Sequence, residues 1–133
     1  MPARILVIED NPANLELVEY LLRAAGHLCA SAADGAAGVR LALDAPPDLV
    51  LCDLQMPELD GYEVLERLRA EPRTRAIPVI AVTAFSTPGD RTRVIEAGFD
   101  AYLSKPIDPE RFVAQVEAYL PPALHGKPPA GAD

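Results

Sequence analysis

Four apolar runs in this 133-residue sequence end on residues able to bind or transfer a charged group. The run at 5–8 leads into Glu9-Asp10, that at 49–52 into Asp53, that at 77–82 into Thr83, and that at 101–103 into Ser104-Lys105. An ionised carboxylate at the edge of an apolar core is costly unless something pairs with it, so Asp53 in "DLVLCDLQMP" (48–57) calls for a partner. If the runs are parallel strands, their C-terminal ends share one sheet edge, where ligands bind in such folds. Three carboxylates meeting there repel, and a cation or a proton must share the site. Oxygen ligands in a partly open site suit Mg2+, and with no Cys or His in the set zinc does not fit. Lys105 and such an ion together would seat a dianionic phosphoryl group, to which Thr83 can donate a hydrogen bond. Asp53, the most central carboxylate, can then act as a nucleophile and form an aspartyl phosphate, with the cation offsetting charge on the transferring oxygens.

The elements that must position these residues alternate. Apolar runs at 5–8, 28–32, 49–52, 77–82 and 101–103 are separated by helical patterns. This rhythm predicts an α/β, doubly wound, five-stranded parallel sheet covered by helices on both faces. Right-handed crossovers leave few strand orders, and 2-1-3-4-5 suits the pattern. "HLCASA" is less apolar than the other runs and suits an edge strand. Asn11 caps a first helix with Pro12 at its first position and Gly26 past its end; Leu15, Val18, Leu21, Leu22 and Ala25 form its stripe. Asp34 caps a second helix, weakened by Gly38. Asp60 and Glu63 have capping-box spacing for a third. Residues 86–97 form a fourth, starting at Ser86. Asp108 and Pro109 start the fifth, where Ile107 can staple onto Phe112.

A net charge of −8 argues against a surface that grips nucleic acid or an anionic membrane. No apolar stretch is long enough for a membrane helix, and the N-terminus lacks a signal peptide, so a cytoplasmic protein is expected. Cys29 and Cys52 read as core thiols. The Pro-rich end "PPALHGKPPAGAD" (121–133) reads as a disordered tail.

With these residues in place, the sequence resembles response-regulator receiver domains. The matching pieces are "VIEDN" at 7–11, "DLVLCDLQMPELDG" at 48–61, "PVIAVTA" at 78–84 and "AGFDAYLSKPID" at 97–108. The resemblance spans 4–120 and implies a flavodoxin-like (βα)5 receiver over 1–120. It also implies that Asp53 accepts a phosphoryl group from a histidine kinase or histidine phosphotransferase. By the same resemblance Asp10 and Asp53 ligate Mg2+ (or Mn2+) directly, with the Gln55 backbone carbonyl, and Glu9 helps through water. Thr83 is the switch hydroxyl, Lys105 binds the phosphoryl group, and Tyr102 is the aromatic switch. Lys105-Pro106 matches the family's cis peptide. Gln55 and Phe85 occupy variable positions that the family uses to set dephosphorylation rate. Such a protein is no turnover enzyme; it assists its own phosphorylation and slow autodephosphorylation. Stretch 9–27 resembles stand-alone division or polarity regulators and receivers of hybrid kinases. With no output domain in view, the signal is expected to pass to a downstream protein through helix four, strand five and helix five, from a monomer or weak dimer.

Other readings fit less well. A haloacid-dehalogenase phosphatase needs a second Asp where Gln55 stands, and a flavin binder needs a hydroxyl-rich phosphate loop where Glu9-Asp10 would repel phosphate. A pseudo-receiver that only binds a partner has no need of an intact acidic set. Tyr20, Tyr62 and Tyr119 are expected to pack under helices. His27 and His125 are expected in solvent or turns, and the arginines at 67, 69, 73, 75, 91 and 93 on solvated faces, with Arg91 and Arg93 near a partner.

Overall fold

The structure is a computed structural model that describes residues 3–84 and 87–124. In chain order the elements are β1 (Arg4–Ile8), α1 (Pro12–Ala24), β2 (Leu28–Ala32), α2 (Gly35–Asp44), β3 (Leu49–Asp53), α3 (Gly61–Ala70), β4 (Val79–Thr83), α4 (Pro88–Ala97), β5 (Ala101–Ser104) and α5 (Phe112–Glu117). A short 3-10 turn, Pro122–Leu124, follows, with Leu124 packed against the core beneath α1 and α5, so the stretch expected to be disordered from 121 is ordered as far as 124. All neighbouring strands pair in parallel, in the order β2-β1-β3-β4-β5, as the alternation of runs predicts.

The strands bury both faces, so successive residues feed opposite cores. Leu6, Ile8, Val50, Cys52, Val79 and Ala81 pack with residues of α2 and α3 and with Val94 of α4. Ile5, Val7, Leu49, Leu51, Ile80 and Val82 pack with Val18 and Leu22 of α1 and Phe112 and Val116 of α5. Edge strand β2 is the exception and is mostly exposed. Cys52 is buried and Cys29 half-buried, both as free thiols; burial pushes the Cys29 thiol up to about 11 and raises Cys52 further.

The caps explain where helices begin. Asn11, Asp34 and Asp60 accept from backbone N–H groups three residues on, and Asp60 with Glu63 completes a capping box. Helix α4 begins later than expected: Thr87 is its cap, in a box with Asp90, and Pro88 is its first residue. Ser86 and Phe85 lie outside the described residues, as do His125 and the tail from 125 onward. Helix α5 is regular only from Phe112, not from Asp108-Pro109. Asp108 instead organises a turn, taking the Glu110 N–H on its side chain and the Arg111 and Phe112 N–H groups on its carbonyl.

Three other expectations change. Tyr20 is 70% exposed and Tyr119 is exposed too; only Tyr62 packs, edge-on against Phe99 at 5.7 Å. Arg69 is no free surface cation: it bonds the carbonyls of Arg75, Ile77 and Gly98 and the Asp100 carboxylate. His27 is buried, 3% exposed. The Ala3 N–H donates to its Nδ1 at 3.0 Å, and its Nε2 lies 2.7 Å from Glu117. An accepting Nδ1 places the ring proton on Nε2, which donates to Glu117. His27 thus ties β1 to α5.

Gly38 fits the helix for a packing reason. A Cβ there would clash with Ile8 Cδ1 and sit 2.6 Å from its Cγ1, so α2 lies against β1 as closely as a glycine permits. Gly38→Ala should therefore lower stability in urea melts by up to about 2 kcal/mol, because overpacking of about 1–3 kcal/mol exceeds a helix gain of about 1 kcal/mol; a stabilised variant would contradict this packing. His27→Phe should cost about 1–3 kcal/mol in the same assay, having stranded a buried N–H.

Candidate functional site

The parallel register sets the strand ends level. Ile8 pairs with Cys52, Asp53 with Val82, and Thr83 with Ser104. The residues that follow therefore come together at one rim. Glu9 takes the first step past β1 while still donating its N–H to Ala32 of the edge strand. Lys105 does the same past β5, donating its N–H to the Thr83 carbonyl at 2.8 Å. The Lys105-Pro106 peptide is cis.

Asp53 is 3% exposed, and its two oxygens are both engaged. Oδ1 accepts the Gln55 backbone N–H at 3.0 Å and Oδ2 accepts from Lys105 Nζ at 3.1 Å. The same ammonium lies 2.9 Å from Glu9 Oε1. Glu9 Oε2 in turn accepts the Asn11 N–H at 3.2 Å, at the start of α1. Ligand oxygens of Glu9, Asp10 and Asp53 all lie within 4.8 Å of one another, with Asp10 exposed and the other two buried. The loop that follows Asp53 is held by close approach: a Cβ on Gly61 would meet the Asp53 carbonyl at 2.6 Å and the Leu54 Cα at 2.8 Å. The N-terminus of α3 thereby abuts the acidic rim.

Three carboxylates against one ammonium leave excess negative charge, and Glu9 carries the consequence. Burial, reinforced by its hydrogen bond with Asp53, pushes the Glu9 carboxyl up to about 7, against the opposing pull of Lys105. Burial by itself would lower the Lys105 pKa, but its bonds to Glu9 and Asp53 outweigh that and raise it. The clustered carboxylate oxygens of Glu9, Asp10 and Asp53 are what could hold a divalent cation. The donor set, oxygen throughout, suits a hard ion.

Thr83 is fully buried at the end of β4, with its hydroxyl against the Gln55 side-chain amide at 3.2–3.3 Å. Tyr102 is half-buried on β5, and the Arg91 guanidinium lies 5.5 Å from its ring centre; Arg93 stands over Tyr62 at 4.9 Å. Of the residues singled out in the sequence, Glu9, Asp10, Asp53 and Lys105 form one cluster and Thr83 borders it through Gln55. Tyr102 lies two strand positions before Ser104, the partner of Thr83, on β5 and opposite Ala81. Gln55 and Arg91 stood out in the sequence only as a variable position beside the site and as a cation near a partner; the contacts of Gln55 with Thr83 and of Arg91 with Tyr102 carried no signal in residue type or periodicity.

The family described as "Response regulator receiver domain" matches residues 5–117. The polar-differentiation response regulator DivK of Brucella anthropi is 41% identical over 120 residues, 90% of this chain and 98% of that protein. Among solved structures, the receiver domain of a sensor histidine kinase of Pseudomonas aeruginosa was determined with a magnesium ion coordinated in its active site cleft. It matches at TM-score 0.82 and 35% identity, covering 90% of this chain and 98% of that one. A chemotaxis protein of Vibrio cholerae matches at TM-score 0.85 and 25% identity, over 90% of this chain and all of that one.

The raised Glu9 pKa has a signed consequence. Between its ordinary 4.5 and about 7 the folded protein keeps a proton that the unfolded chain sheds, so metal-free stability falls as pH rises through that window. Glu9→Gln removes this penalty and should be more stable than wild type at pH 8, by on the order of 1 kcal/mol, with the gap closing toward pH 4.5 in chelator-treated melts. A gap that is equal at both pH values would contradict a Glu9 carboxyl raised by burial.

Proposed function

This chain belongs to the response-regulator receiver family of two-component signalling, and from that membership we propose that Asp53 is its phosphoacceptor. The observation that carries the proposal is the buried Asp53 carboxylate, bonded to Lys105 within the Glu9-Asp10-Asp53 group. A phosphohistidine on a histidine kinase or histidine phosphotransferase supplies the phosphoryl group. As an Asp53 oxygen forms the new P–O bond, the P–N bond breaks and its electron pair returns to the imidazole. The Lys105 ammonium, already paired with Asp53, is in position to take up the arriving negative charge.

Asp10 and Asp53, with the Gln55 backbone carbonyl and with Glu9 through water, would hold Mg2+ or Mn2+. The clustered carboxylates support that assignment, as does the magnesium in the Pseudomonas aeruginosa receiver. When bound, the ion offsets charge on the transferring oxygens. The chain's own contribution is to place the nucleophile and the ammonium in fixed geometry, which assists phosphorylation and slow autodephosphorylation rather than turnover of a substrate.

The product carries about two negative charges where Asp53 carried one. The Thr83 hydroxyl donates to a phosphoryl oxygen, Tyr102 turns into the space it leaves, and the face made by α4, β5 and α5 changes its affinity for a downstream protein. Such a change needs two accessible arrangements of that face. The likeness to a polar-differentiation regulator supports a role in division or polarity signalling. The net charge of −8 supports protein partners over nucleic acid or membrane, and no helix among the described residues is long and apolar enough to cross a membrane. In this reading residues 1–120 are a cytoplasmic receiver, monomeric or weakly dimeric, and 121–133 a tail.

Acetyl phosphate with Mg2+ should add one phosphoryl mass to the wild-type protein, in a form cleaved by hydroxylamine. In Asp53→Asn that adduct should fall to background by mass spectrometry. No adduct on wild type, or an undiminished one on the variant, would overturn the assignment.

A further inference from the structure

The two edges of the sheet are built differently. Strand β5 ends against Lys105-Pro106, and the Arg91 guanidinium lies over Tyr102. Lysine, proline and covering side chains guard an exposed edge against pairing with another chain. From Ala24 to Ala33, around β2, the sequence holds no Lys, Arg, Asp, Glu or Pro. Leu28, Ala30 and Ser31 are exposed there. The ladder with β1 fixes which backbone groups face outward. The Leu28 N–H donates to the Ala3 carbonyl, and the Ala32 carbonyl accepts the Glu9 N–H. Bonded residues alternate along a parallel ladder, so Leu28, Ala30 and Ala32 face β1. Cys29 and Ser31 turn their N–H and C=O groups to the open side, where the Cys29 carbonyl meets Arg23 Nη2 at 3.5 Å, the limit of a hydrogen bond.

We propose that β2 pairs with β2 of a second copy of this chain, antiparallel about a two-fold axis at Ala30, joining two sheets into one. The proposal is independent of the phosphoacceptor reading. This register sets Cys29 opposite Ser31 of the second copy, and each such pair exchanges both backbone bonds. Ala30 then meets Ala30 at the narrow, non-hydrogen-bonded spacing of about 4.5 Å between Cα atoms, which methyl side chains fit. Leu28, which shares an apolar hollow with the exposed Leu41, falls opposite the small Ala32. Charge selects the antiparallel direction. Arg23, held at this edge by its pair with Glu19, lies by the start of the strand, and Asp34 follows its end. Antiparallel pairing brings each Arg23 toward the Asp34 of the other copy, whereas parallel pairing sets like beside like. The strip between them is uncharged, so two chains of net charge −8 meet where they repel least. The contact is isologous and closes at two copies.

Sedimentation equilibrium of the full chain, up to millimolar concentration, should show a monomer–dimer equilibrium. Ser31→Pro deletes an N–H that points away from β1, a place where an edge strand accepts proline. It should keep the urea stability of the wild type and stay monomeric over the same range. Ser31→Lys adds a charge at the edge and should do the same, which decides the matter if the proline variant does not fold. Under oxidation, Ser31→Cys should give a covalent dimer on non-reducing gels, through the introduced thiol and Cys29 of the other copy. Wild type should not, because the two Cys29 residues lie on the diagonal at about 7–8 Å, beyond disulfide reach. A wild type that is monomeric throughout overturns the proposal and leaves the edge to an extended segment of another protein. A dimer that survives the substitutions at Ser31, or no cross-link from Ser31→Cys, overturns the pairing through β2.

Discussion

Two buried carboxylates share a single ammonium at the C-terminal edge of the sheet. Lys105 Nζ lies 2.9 Å from Glu9 and 3.1 Å from Asp53, and these pairings join the ends of β1, β3 and β5 across strands that are not all neighbours. Pairs of this kind are poor sources of stability, since desolvation consumes most of the Coulombic gain. Their value lies in placing charge. One ammonium does not balance three acidic side chains, so the rim carries an excess of negative charge. The fold tolerates the arrangement because β3 and β4 are buried along their whole length, which supplies apolar stability far from the rim.

How much of this could be read in advance follows from the range of each interaction. The central strands declared themselves because burial on both faces demands uninterrupted apolar runs, and the caps Asn11, Asp34 and Asp60 because capping is local. The rim was legible too: parallel pairing sends every strand's C-terminal end to one side, so strand-end residues meet whatever their separation. Less visible were contacts whose partners lie far along the chain. Nothing near His27 announces Glu117, 90 residues away, or the Ala3 N–H. Nothing near Arg69 announces the carbonyls it gathers. Tyr20 was misread for a simpler reason, since it lies about 200° around the helix from Val18 and so opposite the stripe. The late start of α4 follows from Thr87 taking the cap with Asp90, and that of α5 from the turn that Asp108 organises, with no side chain capping Phe112.

The elements around the rim are not equally anchored. Helix α3 buries Gly61, Val64, Leu65 and Leu68, whereas α4 buries Val94 alone. Displacing α4 therefore forfeits the least apolar contact, and elements that move in response to a ligand are drawn from the weakly held end of a structure. Thr83 itself has little backbone freedom: it pairs with Ser104 and its carbonyl takes the Lys105 N–H. In the proposed switch a change at the acidic rim would pass through the Thr83 side chain, at the end of β4, toward the helix that buries the fewest residues. The Arg91–Tyr102 stacking joins that same helix to β5, so a shift of α4 alters the surface on both elements together.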